Sequence, residues 1–189
     1  NRAQLERFRA ILAKLPPAPA SLAASGGIGL GKDYVFDMVR PGLALYGGNP
    51  QPALPNPYRV VAVLTGRILQ VRRVDIGDSV GYGATFTAGK PLKLVTVSLG
   101  YADGLSRVLA GRGAGALGGV RMPFAGRISM DLAVLDATQV PDADCRRGAE
   151  VEFFGDTISL EEVADAAGTM SYEILTGIAS RVARAYVEG

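Results

Sequence analysis

The sequence has no histidine and a single cysteine, Cys145, among its 189 residues. One cysteine cannot build a disulfide framework, and without histidine it leaves no Cys/His set for zinc, so we expect no metal site. A reducing compartment suits this composition. Because histidine is the commonest catalytic acid or base, that role must fall to Tyr, Lys, Asp or Glu here, or to a group outside this chain.

Long apolar runs and a strong net charge are also lacking. No apolar run approaches the roughly 20 residues that span a bilayer, and the first residues lack the layout of a signal peptide. Twenty basic residues nearly balance eighteen acidic ones and are scattered along the chain. We therefore expect no surface for nucleic acid or anionic membrane, and a cytoplasmic protein.

A proline-rich segment divides the chain. Residues 49–57 read "NPQPALPNP", with four prolines in nine positions. This composition is typical of a linker, which we place at residues 51–57. It would separate a first domain, residues 1–50, from a second, residues 58–189.

The first domain has the pattern of a parallel α/β layer. Residues 2–14 place apolar side chains at helical spacing, and two prolines at 16 and 17 end the run. The runs "SLAAS" (21–25) and "MVRPGLALYGG" (38–48) predict two short buried strands, each followed by glycines.

The second domain has a different texture, with runs of Val, Leu, Ile and Thr separated by Gly, Asp and Pro. This pattern predicts an antiparallel β-barrel over residues 58–155 and a mostly β fold class. Ser159 and Glu162 predict a capping box, and Gly168 predicts the end of that helix. A final helix is predicted over residues 172–186, with two arginines near its C-terminal end.

The stretch "GGIGLGKD" (26–33) is close to a nucleotide-binding loop, but Asp33 stands where a hydroxyl should bind Mg²⁺. No helix is predicted directly after Lys32, as such a loop requires. Residues 25–27 and 41–43 instead follow two short predicted strands, and paired loops of this kind hold phosphate in (β/α)₈ barrels. A phosphate site without Mg²⁺ is therefore favoured, and a flexible loop without a ligand is the alternative that the stretch alone leaves open.

Five ordered motifs resemble those of the alanine racemases, the fold type III enzymes that depend on pyridoxal 5'-phosphate. The motifs are "VRPGLALYGG" (39–48), "VGYGATF" (80–86), "GYADG" (100–104), "GRISMD" (126–131) and "SYEIL" (171–175). The resemblance covers nearly the whole chain, but only the second half of the family's length. It implies the last segments of a (β/α)₈ barrel followed by a mainly β domain. It also implies a homodimer with shared active sites, which supplies D-alanine for the peptidoglycan of the cell wall.

The resemblance assigns five residues to the cofactor. Ser25, Gly42 and Leu43 match positions whose hydroxyl and backbone N–H groups hold the phosphate, and Tyr172 matches a tyrosine hydrogen-bonded to it. Arg40 matches the arginine that faces the pyridine nitrogen. A guanidinium does not give up its proton, so it keeps that nitrogen unprotonated and makes the ring a weaker electron sink.

The resemblance assigns four further residues to the reaction and the substrate. Tyr82 matches the base that removes the α-proton of the L-enantiomer. Tyr101 and Met130 match residues that reach from the partner subunit toward the substrate carboxylate, and the counterpart of Asp131 shapes the site. A phenol is mostly protonated at neutral pH, so a tyrosine base needs positive charge beside it. The family uses an arginine and a histidine, for which this chain offers Arg40 and no histidine.

The family's Schiff-base lysine lies after the first barrel strand, and no lysine of this chain stands in a matching motif. We therefore expect the chain alone to be inactive. Two alternatives remain open: a racemase for serine or another small amino acid, and a β-barrel module without catalysis.

Overall fold

The computed structural model describes residues 1–187, which divide into two compact units, one spanning Asn1–Val61 and one beginning at Ala62. Residues 51–57 belong to the first unit, where the side-chain amide of Asn56 donates to the carbonyl of Gly47 (2.8 Å). The domain boundaries that we derive from composition stay a prediction. Over residues 1–187, no helix is both long and apolar enough to cross a membrane.

The first unit contains the helices α1 (Arg2–Leu12) and α2 (Ser25–Ile28). α1 confirms the helix predicted before the paired prolines. Leu5 is buried on its apolar stripe, and the ring of Phe8 meets Phe36 edge-on at 5.0 Å between centroids.

The prediction of two strands in the first unit is wrong. The two segments pair at one position only. Ala24 and Arg40 form a single parallel bridge, and no longer pairing exists among the described residues of these segments. The second segment cannot continue as a strand because Pro41 has no N–H to donate, and Leu43–Tyr46 then winds into a 3₁₀ turn. After Lys32 there is only a 3₁₀ turn, Lys32–Tyr34, so the helix of a nucleotide loop is missing there, as predicted.

The second unit is built on a six-stranded antiparallel sheet and a two-stranded hairpin. The strands are β1 (Leu64–Val74), β2 (Ser79–Val80), β3 (Phe86–Thr87), β4 (Leu92–Val97), β5 (Ala114–Leu117), β6 (Val120–Pro123), β7 (Ala133–Asp136) and β8 (Glu150–Phe154). The sheet order is β6-β5-β8-β1-β4-β7, and β2 pairs with β3. A bridge between Phe124 and Leu135 joins the two edges of the sheet, so the barrel is nearly closed. This confirms the predicted antiparallel β-barrel.

The long strand β1 makes the closure possible. Its first part pairs with β8, its second part pairs with β4, and the register shifts between Ile68 and Gln70. Such an irregularity bends a strand and increases its twist, which a small barrel needs. The barrel interior is filled by fully buried side chains from the strands, each of which stabilises the fold by roughly 1.5–3 kcal/mol. They include Ile68, Val95, Val97, Met122, Leu135, Val151 and Phe153.

The helix α3 (Leu160–Ala167) is capped as predicted. The Ser159 hydroxyl accepts the N–H of Glu162 (3.1 Å), and Gly168 ends the helix in a left-handed conformation. The carboxylate of Glu162 does not return to Ser159, because it forms a bidentate pair with Arg121.

The predicted final helix is wrong after its first turns. α4 spans Ser171–Thr176 and ends at Gly177. The following residues pack against another loop instead of continuing the helix: the N–H of Ala179 donates to the carbonyl of Asp103 (3.0 Å). Arg181, which we expected at the helix end, pairs with Asp103 and Asp131.

A buried lysine on β4 makes the stability of the second unit sensitive to acid. The side chain of Lys93 is 7% exposed, and its Nζ donates to the carbonyl of Val140 and to Asp142, both at 2.5 Å. This hydrogen bond and the charge of Lys93, together with Arg73, lower the pKa of Asp142. Because the pKa is lower in the folded state, ionised Asp142 stabilises the fold above the unfolded-state pKa. That contribution is lost as the pH falls through the folded-state pKa.

Asp142→Asn is therefore expected to lower the free energy of unfolding near neutral pH. On acidification, the variant is expected to lose less free energy of unfolding than wild type. The free energy of unfolding in urea at about pH 7 and about pH 3 measures both effects. Asp156→Asn is the matched control, because Asp156 is exposed and forms no ion pair among the described residues. If both variants lose the same free energy as wild type on acidification, the pair does not stabilise the fold.

Candidate active site

Ser25 organises the first group of predicted site residues. It opens α2, it is fully buried, and its hydroxyl accepts the backbone N–H groups of Gly42 (2.9 Å) and Ala44 (3.2 Å). The N–H of Arg40 donates to the carbonyl of Ala23 (2.8 Å). The structure thus brings Ser25, Arg40, Gly42 and the buried Leu43 together on two neighbouring turns.

The donors at this corner suit an oxyanion. The Ser25 hydroxyl accepts two hydrogen bonds and still carries a proton, for which residues 1–187 offer no acceptor. Leu43 is the first residue of its 3₁₀ turn, where an N–H has no acceptor within the turn. The N–H of Gly42 is already bonded to Ser25, so a phosphate would have to share it. A buried hydroxyl and converging N–H groups fit a phosphate without a metal ion.

Arg40 lines a cavity of about 590 Å³, and hydrogen bonds hold its guanidinium. It donates to the carbonyls of Ser21 (3.1 Å) and Leu22 (3.3 Å) and to the hydroxyl of Ser21. The cavity is large enough for a small cofactor, since ligand pockets occupy roughly 300–1,000 Å³. Arg40 therefore lines a cofactor-sized space within the first unit, whereas Ser25, Gly42 and Leu43 are not among the residues that line it.

The second group of predicted residues surrounds a separate cavity of about 370 Å³ in the second unit. Tyr82, Tyr101, Met130 and Asp131 all line it. Tyr82 lies on a 3₁₀ turn between β2 and β3 and is 78% exposed. Three chain segments thus place the four residues in one pocket.

Backbone hydrogen bonds join two of these segments. The N–H of Tyr101 donates to the carbonyl of Ser129, and the N–H of Ala102 donates to the carbonyl of Met130, both at 2.9 Å. The N–H of Met130 donates to no acceptor among the described residues. A free N–H therefore stands beside the Tyr101 turn.

Two arginines in this pocket were missed by the sequence reasoning. Arg107 stacks on the ring of Tyr101, with its Cζ 5.6 Å from the ring centroid. Arg127 also lines the pocket, and a methyl group added at Gly83 would lie 3.6 Å from its Nη1. We expected Arg40 to supply the positive charge near Tyr82. Arg107 and Arg127 instead place positive charge in the pocket that Tyr82 lines. Arg127 belongs to the quoted motif "GRISMD", so a search of the motifs for cations would have found it.

Tyr172 stands apart from both groups. It lies in the first turn of α4 and is 44% exposed. It does not line the pocket of Tyr82, and its hydroxyl makes no hydrogen bond within residues 1–187. Its contact with a phosphate stays a prediction.

Comparison with known protein families decides the assignment. The family model for "Alanine racemase, C-terminal domain" matches residues 61–186, and that for "Alanine racemase, N-terminal domain" matches residues 1–50. The chain belongs to the alanine racemase family. This confirms the resemblance that we derive from the five motifs.

Curated alanine racemases and a solved structure agree. The alanine racemase of Methylobacterium nodulans is 52% identical over 186 residues, which are 98% of this chain and 50% of the relative. The catabolic alanine racemase of Agrobacterium fabrum is 46% identical, over 100% of this chain and 48% of the relative. An alanine racemase structure from Bartonella henselae with covalently bound pyridoxal phosphate is 42% identical and has a TM-score of 0.90. The match covers 99% of this chain and 52% of the Bartonella henselae chain. The chain thus spans about half the length of the curated alanine racemases that it matches.

Proposed function

We propose that the full-length protein interconverts L-alanine and D-alanine with pyridoxal 5'-phosphate as its cofactor. The observation that carries the proposal is the convergence of Tyr82, Tyr101, Met130 and Asp131 on one pocket in a member of this family. The chain by itself is expected to be inactive. None of its lysines stands in the family's Schiff-base motif, and the buried Lys93 is engaged by Asp142.

The first unit holds the cofactor in this proposal. The cofactor withdraws electrons from the Cα atom of the substrate when bound. The hydroxyl of Ser25 and the N–H groups of Gly42 and Leu43 bind its phosphate, and Tyr172 adds a phenol to the same group. Arg40 would face the pyridine nitrogen. Because a guanidinium does not give up its proton, it would keep that nitrogen unprotonated, which would limit electron withdrawal and favour return of the proton over side reactions.

The second unit supplies a base and a carboxylate site. The Tyr82 oxygen takes the α-proton of L-alanine, and Arg127 and Arg107 line the pocket in which this step takes place. Tyr101 and the free N–H of Met130 bind the substrate carboxylate. The base and the carboxylate donors then hold the substrate at two points, which orients its Cα–H bond toward Tyr82.

A homodimer accounts for the exposure of this pocket. The side chains of Tyr82, Tyr101 and Met130 are 78%, 39% and 53% exposed, and they lie side by side. Clustered exposed apolar side chains mark interaction surfaces. We place the phosphate corner of one subunit opposite the Tyr82 pocket of its partner.

Product analysis of the full-length protein tests the reaction. Incubation with L-alanine and with L-serine, followed by chiral chromatography, is expected to yield D-alanine faster than D-serine. Faster formation of D-serine would show a serine racemase. No D-product from cofactor-loaded protein would contradict the proposal and favour a β-barrel module without catalysis.

A further inference from the structure

Arg181 connects three chain segments beside the Tyr82 pocket. Its Nε donates to Asp103 Oδ1 (2.6 Å), and its Nη2 donates to Asp131 Oδ1 (2.5 Å). The side chain of Asp103 is 10% exposed, that of Asp131 is 56% exposed and that of Arg181 is 48% exposed. One guanidinium thus joins the motifs "GYADG" and "GRISMD" to the segment that follows α4.

Asp103 fixes the geometry of this junction. Its Oδ2 accepts the N–H of Gly100 (2.8 Å), and its carbonyl accepts the N–H of Ala179 (3.0 Å). At Gly104 a methyl group would lie 2.4 Å from the carbonyl oxygen of Gly177, so these backbones are in direct contact. Asp131, in contrast, has Arg181 as its only hydrogen-bond partner among the described residues. Loss of Arg181 therefore frees Asp131 and weakens one of several ties on Asp103.

We propose that Arg181 is a positioning residue of the active site. It acts together with the backbone hydrogen bonds from Tyr101 to Ser129 and from Ala102 to Met130. Through Asp103 and Asp131 it holds Tyr101, two residues before Asp103, at a fixed spacing from the N–H of Met130, one residue before Asp131. In the proposed function these two groups bind the substrate carboxylate, so the inference rests on that function. The planar fork of an arginine holds two carboxylates at a defined angle, whereas lysine is a single point charge on a flexible stem.

Arg181→Lys in the full-length protein separates this role from a structural one. The matched control is Arg121→Lys, because Arg121 also forms a bidentate pair, with Glu162, and its side chain is 49% exposed. Arg121 does not line the Tyr82 pocket. We expect Arg181→Lys to raise KM for L-alanine about tenfold with kcat within about threefold. Arg121→Lys is expected to leave both within about twofold, while both variants lower the Tm similarly. Equal KM values in the two variants would overturn the proposal.

Hydrogen exchange gives a readout that does not depend on catalysis. Amides in residues 99–104 and 128–132 are expected to exchange faster in Arg181→Lys than in wild type, and to be unchanged in Arg121→Lys. If wild type forms no D-amino acid, the proposed function fails and this exchange alone decides the role of Arg181. Unchanged exchange in both segments would overturn the proposed role of Arg181.

A second variant serves if Arg181→Lys does not fold. Asp131→Asn removes only the exposed half of the junction and is expected to give the same rise in KM. An unchanged KM would overturn the inference.

Discussion

Tyr82→Phe in the full-length protein is expected to slow α-proton exchange from L-alanine by about 10²- to 10⁴-fold, the range that a general base contributes. Phenylalanine keeps the ring and removes only the oxygen that accepts the proton in the proposed function. Cofactor content is expected to stay at the wild-type level, because the proposed phosphate donors Ser25, Gly42 and Leu43 lie in the first unit and Tyr82 lies in the second. Exchange of the α-proton for deuterium, followed by mass spectrometry, measures the first effect, and visible absorbance measures the second.

The control is Tyr186→Phe, which removes a phenol that is 94% exposed and outside both cavities. It is expected to match wild type in both measurements. An equal loss of proton exchange and cofactor in Tyr82→Phe would contradict the assignment of Tyr82 as a base.

Gly100→Ala is expected to destabilise the second unit by about 3 kcal/mol or more, because it forces backbone against backbone. The added methyl group would lie 2.3 Å from the carbonyl oxygen of Met130 and 2.5 Å from the N–H nitrogen of Asp131. Gly100 has an extended conformation that alanine adopts freely, so the cost is steric. The same contact pushes apart the two motifs that form the proposed carboxylate site. Racemase activity of the full-length protein is therefore expected to fall even well below the Tm.

Gly89→Ala provides the comparison. A methyl group at Gly89 would meet no atom within 4 Å, and Gly89 has no positive φ. Thermal unfolding of the two variants against wild type measures the difference. A Tm for Gly100→Ala within a degree or so of that for Gly89→Ala would show that the loops separate without cost.

The barrel and the helix cap follow from local patterns in the sequence. Runs of β-branched residues broken by glycine give the strands of the second unit, and Ser159 and Gly168 bound α3 because cap chemistry acts within a few residues. The five motifs contain every candidate site residue except Ser25. The structure places Ser25 beside Gly42 and puts Tyr82, Tyr101, Met130 and Asp131 in one pocket, whereas Tyr172 lies apart from both groups.

The features that the sequence did not reveal depend on distant partners. Arg181 and Asp103 are 78 residues apart, so nothing near Arg181 shows that its segment leaves the helix to pack on another loop. The strand predicted at residues 38–48 has the right apolar composition. Its backbone is nevertheless redirected at Pro41 and wound into a turn at Leu43. Arg127 belongs to a quoted motif, but only the fold shows that it shares the pocket of Tyr82, because the two residues are distant in the sequence.

Mixed dimers test most directly whether the phosphate corner of one subunit works with the Tyr82 pocket of the other. Full-length Tyr82→Phe subunits would be mixed with Gly42→Asp subunits, whose new carboxylate repels the phosphate, after each homodimer is shown to be inactive. A mixed dimer then has one site with both lesions and one with none. Random mixing is expected to restore about a quarter of the wild-type racemase activity, because half of the dimers each contain one intact site. Activity no higher than that of the separate homodimers would contradict the shared site.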